Sequence, residues 1–459
     1  MIPASWRELP LEKVADIHDN LREPINASER ASRHGPYPYY GATGQVGWID
    51  NFRQDGEYVL LGEDGAPFLD PIKDKAYLVS GKCWVNNHAH VRRGKDGVCV
   101  NKFLLHALNG VNYRGYANGT TRLKLTQAAM RRLPIKLPSV DLQTLVVEKI
   151  EELFSDLDAG VAALKRAQAN LKRYRAAVLK AAVEGRLTAQ WRAERKAKGF
   201  PTEPAAQLLA RSLAVRCKKW EAAQLKKYAD AGEAPPKGWQ EKYSEPAAPD
   251  TSGLPELPGG WCWANMEQLG EVQLGRQRSP KNVSKDFPTK YLRSANITEA
   301  GLDLSDVLEM EFSPREKETF CLKLGDLILS EASGSPKQVG KPAMWRNELQ
   351  ECCFQNTVIR LRPAEGLSEF VLKILQAFYI NGVFARTATG VGINHLSAYK
   401  FSKIAVPLGP LIEQTEIVAQ VEAKLSNIAQ AETEIKRSLE RAARLRQAIL
   451  KRAFEGRLV

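Results

Sequence analysis

The sequence predicts an α+β protein: two mixed α/β domains joined by two long helices that form an antiparallel, intramolecular coiled coil with pseudo-two-fold symmetry. The chain has 459 residues, which is too long for one typical core. Residues 137–188 recur without a gap at 408–459, at a constant offset of 271 (408 − 137). In both copies apolar residues alternate at spacings of three and four, which indicates a coiled coil.

The two predicted domains cover residues 1–136 and 261–407. Runs of apolar and β-branched residues between Gly- and Pro-rich stretches predict strands at Tyr58–Leu61, Lys75–Val79 and Thr357–Leu361. Short helices are predicted at Val100–Asn109 and Ser368–Asn381. Both domains begin alike, because Trp6 recurs as Trp261 at an offset of 255 (261 − 6), but their interior sequences look unrelated.

The two repeated segments, 137–188 and 408–459, are predicted to be long helices that pack on each other. Their seams are Ile150, Leu157, Leu164, Leu171 and Val178 in the first and Val421, Ile428, Ile435, Ala442 and Ile449 in the second. A two-fold axis perpendicular to a helix pair makes the helices antiparallel. Residues 189–260, between the first helix and the second domain, read as a central helical extension followed by a Pro-rich linker.

Composition narrows the classes of function. No apolar run approaches the roughly 18 residues that a bilayer span needs, and no signal peptide is recognisable, so a cytoplasmic location is expected. The seven cysteines include no CxxC pair, so neither a disulfide framework nor a zinc site is expected. A net charge of +13 favours a polyanionic partner such as nucleic acid. The alternative is that the basic residues only solubilise long helices.

Motifs for catalysis are weak. The stretch from Gly334 to Lys341 resembles a phosphate loop, but it has five residues between its glycines, and Pro342 replaces the residue that would bind magnesium. His88 and His90 have no third ligand nearby, and Glu63-Asp64 reads first as turn chemistry. We therefore expect no catalytic residues and no metal ligands.

Residues suited to DNA recognition are more numerous. Bases are read by Arg, Asn, Gln, Lys, Ser and Thr at loop tips, with phosphate contacts around them. The first domain offers Arg22, Asn26, Arg30, Arg33, Tyr39, Thr43, Asn118, Thr120, Thr121 and Arg122. The second offers Arg276, Arg278, Lys281, Asn282, Ser333, Ser335, Lys337, Gln338, Thr389 and Asn394. Gly119 and Gly390 share the offset of 271 (390 − 119), so one glycine loop recurs in both domains.

These motifs resemble the DNA-specificity subunit of type I restriction-modification enzymes. The resemblance covers the Pro-x-x-Trp entries, YPYYGATGQVGWIDNF at 37–52, LKLGDLILSEASGS at 322–335, and the EGRL that ends both helices. It implies that each domain is a target-recognition domain that reads one half of a bipartite, asymmetric double-stranded DNA site. It also implies that the helices scaffold two modification subunits, which carry S-adenosylmethionine, and two restriction subunits, which use ATP and Mg. The chain itself would be non-catalytic and bind no cofactor.

Partner subunits are expected to contact the helices and their ends, at Leu153, Tyr174, Glu184, Arg186, Lys424, Leu445, Glu455 and Arg457. Lys424 is included because it lies on the seam of the second helix, where an apolar residue would be expected. Two alternatives stay open: a non-catalytic coiled-coil tether with two protein-binding heads, and a fused enzyme with an unrecognised site that acts on DNA.

Overall fold

The computed structural model describes residues 5–277, 288–390 and 392–459. It divides into two compact units. Unit 1 is Met1–Ala169 with Glu432–Val459, and unit 2 is Asn170–Ala431. The division falls inside the two long helices and not at their starts, because one half of each helix packs into each unit.

Unit 1 contains nine strands and four short helices among its described residues, followed by the first long helix. Its elements are β1 (Arg7–Pro10), α1 (Leu11–Val14), β2 (Ala15–Ile17), α2 (Ala27–Ser32), β3 (Tyr37–Gly41), β4 (Gly44–Ile49), β5 (Tyr58–Gly62), β6 (Ala76–Val79), β7 (Trp84–Val85), β8 (Ala89–Gly94), α3 (Asn101–Gly110), α4 (Gln127–Arg131), β9 (Pro134–Leu137) and α5 (Val140–Val183). Helix α5 continues beyond Ala169 into unit 2.

Unit 2 begins with the end of α5, continues with two helices of the central region, and then repeats the alternation of strands and short helices; its last helix continues beyond Ala431 into unit 1. Its elements are α6 (Ala189–Ala197), α7 (Ala205–Asp230), β10 (Cys262–Asn265), α8 (Met266–Leu269), β11 (Gly270–Leu274), β12 (Pro288–Leu292), β13 (Ile297–Thr298), β14 (Gly301–Leu302), β15 (Leu308–Glu311), α9 (Pro314–Phe320), β16 (Leu327–Ser330), β17 (Ala332–Ser333), β18 (Pro342–Met344), β19 (Cys353–Phe354), β20 (Val358–Pro363), α10 (Ser368–Ile380), α11 (Val383–Thr387), β21 (Asn394–His395), α12 (Ala398–Ser402), β22 (Ala405–Leu408) and α13 (Leu411–Phe454).

The two units share one sheet topology although their interior sequences look unrelated. Unit 1 has a four-stranded sheet in the order β2-β8-β5-β6 and a three-stranded sheet in the order β4-β3-β7. Unit 2 has β11-β20-β16-β18 and β15-β12-β19, with the same directions, including a parallel pair at β3-β7 and at β12-β19. The strands predicted at Tyr58–Leu61, Lys75–Val79 and Thr357–Leu361 are confirmed as β5, β6 and β20.

The long helices are antiparallel within each unit, as predicted. In unit 1 the start of α5, including Ile150, shares a core with the end of α13, including Ile449. Arg446 of α13 pairs with Asp158 at 3.0 Å and stacks on Phe154, 3.9 Å from the ring centroid. In unit 2 the end of α5 shares a core with the start of α13.

Each long helix is anchored near its start by a buried glutamine at an equivalent position. Gln143 Nε2 donates to the Pro138 carbonyl at 3.1 Å, and Gln414 Nε2 donates to the Gly409 carbonyl at 2.8 Å. Each amide therefore bonds the carbonyl five residues earlier and fixes the entry into its helix. Within the described part of the chain, no helix is long and apolar enough to cross a membrane.

Candidate nucleic-acid interface

Two loops occupy the same place in the two units: residues 118–124, which we call loop 1, and residues 389–395, which we call loop 2 and which the structure describes except at residue 391. Asn118 and Lys124 close loop 1 with two main-chain hydrogen bonds of 3.0 and 2.8 Å. Thr389 and His395 close loop 2 with bonds of 3.1 and 2.9 Å. The glycine recurrence in the sequence thus corresponds to a recurring backbone structure.

Each loop requires glycine at its second position. Gly119 has φ +145°, and a Cβ there would lie 2.2 Å from the carbonyl oxygen of Arg122. Gly390 has φ +142°, and a Cβ there would lie 2.0 Å from the carbonyl oxygen of Ile393. The absence of a side chain allows both the left-handed backbone and the close approach of the opposite side of the loop.

In each unit, the glutamate that directly follows β5 or β16 contacts the end of the loop. This role of the glutamates was not predicted from the sequence. Leu125 N donates to the Glu63 carbonyl at 2.7 Å, and Leu396 N donates to the Glu331 carbonyl at 2.8 Å. The Glu63 carboxylate pairs with Lys124 at 3.2 Å. The Glu331 carboxylate pairs with His395 at 3.1 Å. Both glutamates directly follow the central strand, β5 or β16.

The exposed face of loop 1 is polar and basic. Asn118, Thr120, Thr121 and Arg122 are all exposed, as their predicted role requires. The Arg122 guanidinium lies 3.4 Å from the Asp64 carboxylate, while 60% of its side chain faces solvent. His88 Nδ1 lies 2.6 Å from Asp64 Oδ1, the same carboxylate oxygen that Arg122 approaches. The carboxylate thereby limits where the guanidinium can point.

Loop 2 lies beside the serine-rich segment that the sequence also singled out. Ser333 of β17 pairs with Asn394 of β21, so these two predicted sites are brought together. Lys400 donates from Nζ to Thr389 Oγ1 at 3.1 Å. Ser335, Lys337 and Gln338 are exposed at the tip of the neighbouring segment.

The remaining candidates of unit 1 lie around α2 and the β3-β4 turn, and of these Asn26 and Thr43 are exposed whereas Arg30 and Arg33 are half-buried. Asn26 caps α2 by accepting from Glu29 N at 2.9 Å. Arg30 stacks on Tyr39, 4.9 Å from the ring centroid. Arg33 pairs with Asp50 at 2.8 Å, and this hydrogen bond lowers the pKa of the Asp50 carboxyl. Thr43 is exposed in the turn.

Three predicted DNA contacts have structural roles instead. Arg22 is largely buried, pairing with Glu63 at 2.5 Å and donating to the Ala89 carbonyl at 3.2 Å. Tyr39 is 1% exposed, and its hydroxyl accepts from Ile25 N at 3.2 Å. Arg276 is 10% exposed and pairs with Glu316 at 2.6 Å. Arg278, Lys281 and Asn282 lie outside the described residues.

A buried ionic network lies next to the end of loop 1 and provides partners for both ring nitrogens of His90. His90 Nδ1 lies 2.7 Å from Asp19 and its Nε2 lies 2.8 Å from the Leu125 carbonyl, so both ring nitrogens are engaged. Arg92 pairs with the same carboxylate at 2.9 Å. Burial would raise the pKa of Asp19, but the hydrogen bond with His90 and the charge of Arg92 bring it well below its usual range. Among the described residues, no group of three or more His, Cys, Asp or Glu side chains is arranged so that it could hold a metal ion.

The predicted partner contacts include one matched apolar pair. Tyr174 and Leu445 are related by the offset of 271 (445 − 174), and each is 49% exposed. Leu153 packs against the core of unit 1, and Lys424 is half-buried. The charged residues at the helix ends pair locally, Arg186 with Glu184 and Arg457 with Glu455.

Comparison with known proteins finds matches along the whole chain. Residues 3–170 match the type I restriction modification DNA specificity domain. A type I restriction enzyme specificity subunit of Haemophilus influenzae is 38% identical over 148 residues, which are 32% of this chain and 37% of that protein. The EcoDI specificity subunit of Escherichia coli is 22% identical over 100% of this chain and 89% of its own length.

Two solved structures share the fold. A chain from a study of complex assembly and conformational transition of the type I R-M system superposes with a TM-score of 0.65, at 16% identity, over 100% of this chain and 99% of that chain. The HsdS subunit of Thermoanaerobacter tengcongensis superposes with a TM-score of 0.51, also at 16% identity, over 99% of this chain and 98% of its own. The predicted α+β fold with two long helices is thereby confirmed.

Proposed function

Because this chain belongs to the family of type I restriction-modification specificity subunits, we propose that it is the sequence-specific DNA-binding subunit of such a complex. It reads a bipartite, asymmetric target, with one half-site for each unit. The observation that carries this proposal is the recurrence of one loop, closed by two main-chain hydrogen bonds and with exposed side chains, in two units of the same topology. Repeated backbone with different side chains is what two half-sites of different sequence require.

The loops meet the physical requirements of base recognition. Reading a base edge needs a side chain that is accessible but held in a narrow range of positions. In loops 1 and 2 the backbone is held by its closing hydrogen bonds and by Glu63 or Glu331, while the tip remains exposed. The charge of +13 supplies attraction to phosphates, which predicts a log-log salt slope of about −0.9 per neutralised phosphate.

The helices and the connecting segments are assigned to assembly. We place target recognition at 1–136 and 261–407, the spacer helices at 137–188 and 408–459, and an extension with a linker at 189–260. Two modification subunits with S-adenosylmethionine and two restriction subunits with ATP and Mg would supply the chemistry. Tyr174 and Leu445 support docking on the helices, since apolar side chains half exposed at equivalent positions suit two copies of one partner.

Methylation sequencing tests the proposal. DNA is sequenced for modified bases from cells that carry the cognate modification subunit, with and without this chain. We expect a bipartite methylated motif that appears only with the chain and changes in one half when residues 1–136 are replaced by the corresponding domain of a relative. Unchanged methylation, with the modification subunit active and bound to the chain, would favour a protein-binding tether instead.

A further inference from the structure

The two loops carry chemically opposite side chains at one position. Arg122 and Ile393 are related by the offset of 271 (393 − 122). Each stands three residues after the loop glycine, and its carbonyl is the atom that approaches that glycine. The side chains therefore leave equivalent backbones, and the difference between the loops at this position is one of chemistry.

Both side chains are accessible. The Arg122 side chain is 60% exposed, and Ile393 is 56% exposed. Because more than half of Ile393 is exposed, its burial contributes little to the stability of the fold. Its neighbours in the chain, Gly392 and Asn394, provide no apolar side chain against which it could pack. The Ile393 side chain also has no group that can bind a phosphate, so an electrostatic role is excluded for this side chain.

We propose that Arg122 and Ile393 are matched specificity-determining residues, with Arg122 recognising guanine and Ile393 recognising the methyl group of thymine in the major groove. A guanidinium donates two hydrogen bonds to O6 and N7 of guanine, whereas an apolar side chain contacts the C5-methyl of thymine. The Asp64 carboxylate, 3.4 Å from Arg122, is the positioning group. This assignment rests on the proposed function.

The test uses the chain assembled with its modification subunits and DNA carrying the motif found by methylation sequencing. Each guanine of the unit 1 half-site is replaced in turn by 7-deazaguanine, which lacks the N7 acceptor. Each thymine of the unit 2 half-site is replaced by uracil, which lacks only the methyl group. Binding is measured by fluorescence anisotropy.

One 7-deazaguanine should weaken binding on the order of tenfold, and one uracil about threefold. Arg122→Ala should abolish the first sensitivity and Ile393→Ala the second, with each leaving the other intact. Arg7→Ala is the matched control, since Arg7 is exposed on β1, where it lies opposite Leu137 of β9, and it should keep both sensitivities. Thermal unfolding verifies that every variant is folded.

The outcomes separate the two levels of the hypothesis. Discrimination between target and scrambled DNA, together with indifference to all deaza and uracil substitutions, would overturn the assignment and leave the proposed function standing. A unit 1 half-site without a G·C pair, or a unit 2 half-site without an A·T pair, would overturn it equally. Equal binding of target and scrambled DNA would reject the proposed function itself.

Discussion

The interiors of the two units differ in chemistry at one equivalent buried position, on the strand that pairs with β5 in unit 1 and with β16 in unit 2. In unit 1, Arg92 of β8 lies opposite Val59, and in unit 2, Leu361 of β20 lies opposite Leu327. Val59 and Leu327 each stand four residues before the glutamate that holds the loop, so the positions correspond. Both Arg92 and Leu361 are 0% exposed. One topology therefore tolerates a charge or an aliphatic side chain here, provided that the charge is paired.

The largest expected effect comes from breaking that pairing. Asp19→Ala leaves Arg92 buried without its carboxylate and should destabilise unit 1 by about 3–5 kcal/mol. Hydrogen exchange followed by mass spectrometry should show faster exchange in unit 1 peptides and an unchanged exchange rate in unit 2 peptides. The control is Leu361→Met, which conserves volume and should cost less than about 1.5 kcal/mol. A loss spread evenly over both units would show that they do not unfold separately.

The two loop glycines are predicted to behave alike, which tests the shared part of the comparison. Gly119→Ala and Gly390→Ala each place a Cβ at φ above +140° and within about 2 Å of a carbonyl oxygen, and should each cost roughly 1–3 kcal/mol. Specific DNA binding, measured with one half-site altered at a time, should fall only for the half-site of the mutated unit.

Gly301→Ala is the control for these variants. Gly301 has φ +119°, and no described atom lies within 4 Å of a Cβ built there, so it bears the backbone strain without the steric clash. If Gly301→Ala impaired DNA binding as much as Gly390→Ala does, the close approach inside the loop would be irrelevant to recognition.

Acid should weaken unit 1 before unit 2. His106 on α3 faces Phe154 and lies near Glu151 of the first long helix, whereas the α10 residue at the offset of 271 (377 − 106) is the buried Ala377, which cannot titrate. Burial lowers the pKa of His106 to about 4. The unfolded state therefore binds a proton below about pH 6.5 that the folded state refuses, and stability falls as the pH drops from 6.5 towards 4.

At pH 5 this difference amounts to about 2 kcal/mol. Hydrogen exchange at pH 7 and pH 5, corrected for the intrinsic exchange rate, measures the loss in unit 1. His106→Gln should remove this pH dependence, whereas His34→Gln should retain it, because His34 is exposed. Equal losses in wild type and His106→Gln would assign the acid sensitivity to other groups.

Periodicity was enough to predict the helices, because it depends on local spacing, and the recurrence at a constant offset was enough to predict their antiparallel pairing and the glycine loops. Exposure was not predictable from residue type. Arg22 and Arg276 resemble DNA-binding arginines in the sequence, but they form ion pairs with carboxylates that lie 41 and 40 residues away along the chain. Glu63 and Glu331 were missed for the same reason, since their loop partners Lys124 and His395 are distant in sequence. The common topology was hidden because positions such as Arg92 and Leu361 share burial and not chemistry.

Substitution of Glu63 or Glu331 should have the smallest effect on stability and the most selective effect on a single loop. Glu63→Gln and Glu331→Gln retain the shape of the side chain and remove its charge, and since Lys124 and His395 are about half exposed, each broken pair should cost only about 0.5–1 kcal/mol. Glu63→Gln should have the larger effect, because Glu63 also binds the largely buried Arg22.

Dissociation constants for DNA altered in one half-site report the effect of each substitution, with Glu299→Gln, at an exposed site of unit 2, as the control. The loss for Glu63→Gln should shrink as salt is raised, since the exposed pair of Glu63 with Lys124 is screened. If each variant weakened binding through the opposite half-site, the glutamates would act on the assembly and not on their own loops. Loss confined to the matching half-site would instead show that the acid beside the central strand positions the loop that reads DNA.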